Sequence, residues 1–146
     1  TIIEKSTSLL GDPVLQRVMT GRRLLSVSRE ALKRIFYLSY SYRMTGDERY
    51  LQRADEEILA VSRFSDWNPS HFLDVAEMTM AVAIGYDWLF EDLSERARLE
   101  ARVAASVNKR RITSVTASVV LRIYRWAYQQ CKHAAARYTA TDVVFS

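Results

Sequence analysis

At 146 residues, with 49% hydrophobic and 26% charged side chains, the chain has the balance of one globular domain and is not a disordered segment. Its single cysteine, Cys131, excludes an internal disulfide or a cysteine-clustered zinc site within the chain, and no uncharged run reaches the ~18 residues of a membrane span. The net charge of +4 is unevenly placed, since residues 1–100 carry 13 Lys and Arg against 16 Asp and Glu, while residues 101–146 carry 8 against 1.

Four glycines and two prolines leave few breakers, and no alternating run of β-branched residues persists, so the fold class is all-α. Residues 1–11 show no clear period. Asp12-Pro13 then offers a cap and first position for a short helix through Met19, which Gly21 ends. Arg22 and Arg23 follow. A second helix begins near Ser26 or Ser28 and runs to about Thr45, with Leu32, Ile35, Phe36 and Ser39 inside and Arg29, Lys33 and Arg34 outside. Gly46-Asp47 stops it and caps the next, where Tyr50, Leu51, Ala54, Ile58 and Val61 recur at three and four while Glu48, Arg53, Asp55, Glu56 and Glu57 face water.

Residues 64–69 form a connection that holds Trp67, a costly side chain to leave in a loop unless it packs or binds. The most apolar stretch follows, DWNPSHFLDVAEMTMAVAIGYDWLF at 66–90. Asn68 caps it, Pro69 takes the first helical position, and the run from Phe72 is apolar round nearly its whole circumference, which predicts a long helix enclosed on most sides, Met80 included. Its early polar residues, His71, Asp74 and Glu77, have two readings. Either the carboxylates answer the positive end of the helix dipole, with Trp67 a structural plug, or Trp67, Asn68 and His71 rim a substrate cleft, an aromatic ring beside polar groups being suited to a sugar. Glu91-Asp92 ends this helix, and Ser94 caps a last amphipathic one with Leu99 and Val103 on its inner face, running to about Asn108.

Hairpins of about 35 residues raise a helical-repeat array, whose commonest period is ~34, but the second pair does not repeat the residues of the first. One nearly all-apolar helix beside amphipathic ones implies two layers. The expected architecture is therefore antiparallel helical hairpins over 1–108 in part of an α/α barrel or toroid, followed by a basic, poorly patterned tail over 109–146. That tail interleaves Tyr124, Trp126, Tyr128 and Tyr138 with basic residues, the ingredients of single-strand nucleic-acid binding. No nucleic-acid motif accompanies them, so the reading is a solvated basic face. His71, His133 and a few carboxylates make no recognisable metal set, and no cofactor is expected.

The strings GRRLLSVSREALKRI at 21–35 and DWNPSHFLDVAEMTMAVAIGYDWLF at 66–90 resemble the N-terminal helical domain of heparinase II/III-like polysaccharide lyases, over roughly residues 10–105. The resemblance implies an incomplete α/α toroid followed by β-sandwich domains, with the active site in the cleft between them, in a periplasmic or secreted protein. It implies β-elimination at a uronic-acid residue of an acidic polysaccharide: the sugar carboxylate is neutralised, a base removes the adjacent proton, and a Tyr protonates the leaving oxygen. In relatives those groups lie downstream of the buried helix, and from about residue 110 this chain departs from the pattern, so no catalytic residue is carried over. Trp67, Asn68 and His71 are the candidate substrate-binding residues. The competing reading is a non-catalytic helical-hairpin scaffold for a protein partner.

Overall fold

The computed structural model describes residues 1–110, so the expectations for the basic tail lie outside the described residues. The described chain is all-helical: α1 (Ile2–Leu9), α2 (Leu25–Thr45), α3 (Glu48–Ser62), α4 (Phe72–Trp88) and α5 (Glu95–Arg110). At the α2–α3 turn Gly46 takes a left-handed φ of 69°, open to glycine without strain, and Asp47 caps α3 by accepting from the Arg49 amide. Ser94 likewise caps α5, its hydroxyl accepting from the Ala97 amide.

The hairpins α2–α3 and α4–α5 stack side by side. The starts of α2 and α4 meet where Arg23 and Leu24 bond Asp74, and further along both helices the rings of Phe36 and Trp88 approach to 5.3 Å, so the two helices run parallel. α3 and α5 are parallel too, since Asp55 bonds Ser94 and, a turn or two on in each, Arg63 bonds Glu100. This puts α2 and α4 in one layer and α3 and α5 in the other, with α2 against α4 the most extensive contact. Between the layers lies one core, to which Ile35, Leu38, Ile58, Val61, Val75 and Met78 contribute fully buried side chains. Gly85 lets α4 approach closely: a Cβ there would come within 2.6 Å of Ile35 Cγ2 and 2.8 Å of Ile58 Cδ1.

Several expectations need correction. Residues 1–11 contain a helix, α1, opened by a capping box between Thr1 and Glu4. Only Ser6 and Leu9 face inward, and the first is polar: the Ser6 hydroxyl donates to the Tyr37 carbonyl and accepts from Ser41, so no apolar period marked the helix. Residues 12–19 are not helical. Their backbone is held by side chains from the neighbouring helices instead, Arg53 donating to the Asp12 carbonyl, Arg34 to the Pro13 carbonyl, and the Leu15 amide to Glu57. This also explains why Arg53 and Glu57 are buried and do not face water. Glu57 takes charged hydrogen bonds from both Arg34 (3.0 Å) and Arg53 (2.6 Å), the pairing that a buried carboxylate requires.

α4 is less enclosed than its composition implies, because Leu73 and Met80 stand 40% and 45% exposed on the side away from the core. On α5 the inner face is Ala97, Ala101 and Ala104, while Leu99 and Val103 point outward. Small side chains bring α5 close to α3. Two methionines a short way apart on α4 test this orientation. Met78→Asp buries an unpaired charge and should cost more than about 4 kcal/mol, whereas Met80→Asp should cost less than about 1 kcal/mol, both read as shifts in the urea unfolding midpoint.

Candidate substrate-binding surface

The segment from Asp66 to Asp74 carries every candidate residue, and its shape follows from side-chain hydrogen bonds. Asp66 accepts from the Asn68 amide at 2.8 Å and from Arg17 at 2.7 Å, tightening the chain into a turn. Asn68 then adopts φ 57°, a left-handed conformation that asparagine tolerates better than most residues. Its carbonyl accepts from the His71 amide, and α4 begins only at Phe72, three residues beyond the expected start, with His71 as N-cap residue making no side-chain cap bond. Asn68 does not cap α4 because its side chain is used elsewhere. The carboxamide nitrogen donates to Asp74 Oδ2 at 2.7 Å and to the Arg22 carbonyl at 2.9 Å.

Asp74 is the centre of the cluster. Its side chain is completely buried, and it accepts four hydrogen bonds: Arg23 Nε and Nη2 to Oδ1 at 3.0 and 2.8 Å, and the Leu24 amide and Asn68 Nδ2 to Oδ2, each at 2.7 Å. Burial works to raise its carboxyl, but the Arg23 pair, the Leu24 amide and Asn68 outweigh it and hold the group below the usual carboxylate range. The carboxylate thus does more than answer the dipole of its own helix: it caps the start of α2 through Leu24 and ties the two hairpins together. Glu77, one turn on, faces Arg29 of α2 at 3.2 Å.

Trp67 is fully buried. Its amide donates to Asn108 Oδ1 at 2.8 Å, its indole N–H donates to the Val61 carbonyl at 2.9 Å, and Asn108 in turn bonds the Ala104 carbonyl. No face of its ring is open to solvent. Asn68 is also mostly enclosed and spent on Asp74. His71 alone of the three is half-exposed. Its Nδ1 lies 3.2 Å from Asn68 Nδ2, whose two hydrogens go to Asp74 and the Arg22 carbonyl, and 3.1 Å from the Ser70 hydroxyl, which donates its own hydrogen to Asn68 Oδ1. Arg22, exposed beside this cluster, brings a cation to the same edge. Among the described residues no group of three His, Cys, Asp or Glu side chains is placed to hold a metal, and no helix is long and apolar enough to cross a membrane.

Two substitutions separate the roles. Trp67→Ala should lose about 3–5 kcal/mol of stability through the cavity it leaves, measured by thermal or denaturant unfolding. Asp74→Asn places an amide against donors and should cost about 2–3 kcal/mol near neutral pH. Because the Asp74 carboxyl in the folded chain lies below its ordinary value of 3.8, its stabilising effect is fully present above that pH and is lost as the pH falls beneath it. The stability of Asp74→Asn should accordingly fall less steeply with acid than that of the wild type when unfolding midpoints are compared between about pH 5 and pH 2. Comparison with known protein families and with curated proteins finds no match to the chain.

Proposed function

We propose that the chain is the helical portion of a polysaccharide lyase that cleaves uronic-acid-containing chains by β-elimination, and that its stacked hairpins form part of an incomplete α/α toroid. One observation carries the reading. The two stretches that resemble the heparinase II/III-like family, 21–35 and 66–90, are the two that bond each other most closely, through Arg23, Leu24, Asn68 and Asp74. A resemblance whose two strongest stretches lie on both sides of a single buried contact is what shared architecture would produce.

On this reading the described residues are scaffold and one wall of the cleft. β-Elimination needs a base to take the proton next to the sugar carboxylate, an acid to protonate the departing glycosidic oxygen, and a partner that neutralises the carboxylate while the enolate forms. None of the described residues is assigned to the first two tasks. His71 and Arg22 offer hydrogen bonds and charge to an acidic sugar at the edge of the wall, with the imidazole seated beside Asn68 and Ser70. Trp67 contributes by fixing the segment that carries them. An extracytoplasmic location belongs to the same proposal.

The test compares the 146-residue chain with the full product of its parent gene. The full protein should release unsaturated uronate, seen as new ultraviolet absorbance, from heparin, heparan sulfate or alginate, and the chain alone should release none. A parent gene that continues in further helical pairs, with no such product from any of the three, would favour the protein-binding scaffold.

A further inference from the structure

The non-helical stretch after α1 has a regularity of its own. From Val14 to Thr20 the side chains alternate outward and inward, the period of an extended chain. Leu15 and Met19 pack against the core, and Arg17 between them is held by Asp66, its Nε donating to the Asp66 carbonyl at 3.1 Å and its Nη2 to Oδ1 at 2.7 Å. Val14, Gln16, Val18 and Thr20 take the other side and are exposed, the two valines to 39% and 58%. The backbone groups of Val14, Gln16, Val18 and Met19 make no hydrogen bond among the described residues. Beside them runs an open groove of about 450 Å³, lined by this segment and by Val27, Glu30 and Arg34 of α2.

An extended segment without a neighbouring strand offers its main chain as a template for one, and folded chains guard such edges with outward charges or prolines. Between Val14 and Thr20 there is no proline, and the one charge, Arg17, is turned inward. Charges stand only at the two ends. Asp12 is 49% exposed, and its one ion pair among the described residues, to Arg34, is 3.8 Å long. Arg22 is exposed at the tip of the turn in which Thr20 and Arg23 exchange both backbone hydrogen bonds, and its side chain makes no ion pair among the described residues.

We propose that residues 14–20 are an interaction surface for a second copy of this chain, which adds the same segment to it as an antiparallel strand about a two-fold axis through Gln16. Side-chain parity and charge set the register. A two-fold centred on a residue keeps outward side chains opposite outward ones, and centring it on Gln16 puts Val14 of each copy opposite Val18 of the other, a β-branched cross-strand pair. It also brings Asp12 of each copy, opposite Thr20, beside the turn that carries Arg22 of the other copy. A parallel copy would set Asp12 against Asp12 and Arg22 against Arg22. The order of charges therefore selects the antiparallel copy, and an unrelated strand would have to reproduce that order to fit as well. A strand pair of this length buries little area, so the dimer is weak and concentration-dependent. Nothing in the pairing depends on the polysaccharide reading.

Sedimentation velocity of the 146-residue chain, from micromolar to millimolar concentration, should show a monomer passing into a dimer. Val18→Lys should weaken association about tenfold, because it sets a charge in the shared face. Arg22→Glu should weaken it about threefold, and Asp12→Lys combined with Arg22→Glu should restore it to within about twofold of the wild type. Leu99→Lys, which places the same charge on an exposed residue of α5, should leave association unchanged. The register is read in a Cys131→Ser background by mild oxidation and non-reducing gels: Gln16→Cys, on the two-fold, should give a covalent dimer, and Val18→Cys, which faces Val14 of the other copy, should not. Circular dichroism checks that each variant keeps its helices, and the charge swap and the cysteine variants decide the matter if Val18→Lys does not fold. A monomer at every concentration, a dimer unaffected by Val18→Lys, equal weakening by Leu99→Lys, no rescue by the double substitution, or a covalent dimer through residue 18 and not through residue 16 would each overturn the proposal.

Discussion

Removing a carboxylate from water is tolerable only when its oxygens are fully used, and Asp74 is the place where the fold meets that condition. Its four donors come from two separated points of the chain: the Arg23 side chain with the adjacent Leu24 amide, and the Asn68 carboxamide. Satisfying them sets the start of α2, the left-handed turn at Asn68 and the first turn of α4 in one geometry. The connection from Phe64 to His71 is therefore shaped by a charge and not by apolar packing alone, and the Asn68 amide that serves Asp74 also lies beside the His71 imidazole. Glu57 plays the equivalent part at the other end of α2's neighbourhood, where it anchors the non-helical stretch after α1 through the Leu15 amide.

Most of the helical framework was legible because its signals are local. The αL glycine and aspartate cap at 46–47, the apolar period of α3 and the capping serine at 94 act through backbone geometry and nearest neighbours, which a linear reading sees directly. What it missed was carried by contacts across the chain. Ser6 is inward because Ser41 and Tyr37 wait for its hydroxyl, and the stretch after Asp12 stays unwound because Arg34, Arg53 and Glu57 satisfy its backbone better than a helix of its own would. Arg53 and Glu57 sit four apart, the spacing of an ordinary surface pair, and nothing in that spacing distinguishes a buried pair from a solvated one. Met80 was assigned inward because a nearly all-apolar helix offers no polar stripe from which to orient it.

Around Asp74 the linear pattern carried more than a reading by nearest neighbours extracts. An aspartate that falls in line with Met78, Ala81 and Gly85 on an apolar helix had to be buried, and the Arg22-Arg23 pair upstream was a visible source of its partner. Reading Asp74 only against the helix dipole overlooked this. Trp67 drew attention as an aromatic ring in a loop, but its N–H bond to Val61 and its amide bond to Asn108 belong to a packed residue. Phe36 was taken as core on its period, while its contacts with Tyr40 and Trp88 put it at the surface seam between the parallel helices.

The stacking of two hairpins in register has a consequence for cooperativity. In such an arrangement the free energy separates into an intrinsic contribution from each hairpin and a coupling contribution from the face they share. The Asp74 cluster and the Arg29–Glu77 pair lie on that shared face, whereas the Gly46 turn and the Ser94 cap lie within single hairpins or beside them. Protonation of Asp74 therefore subtracts from the coupling and leaves the intrinsic terms nearly intact. At low pH the coupling is weakened at this point, while the core that Ile35, Ile58, Val75 and Met78 share across the two hairpins continues to join them.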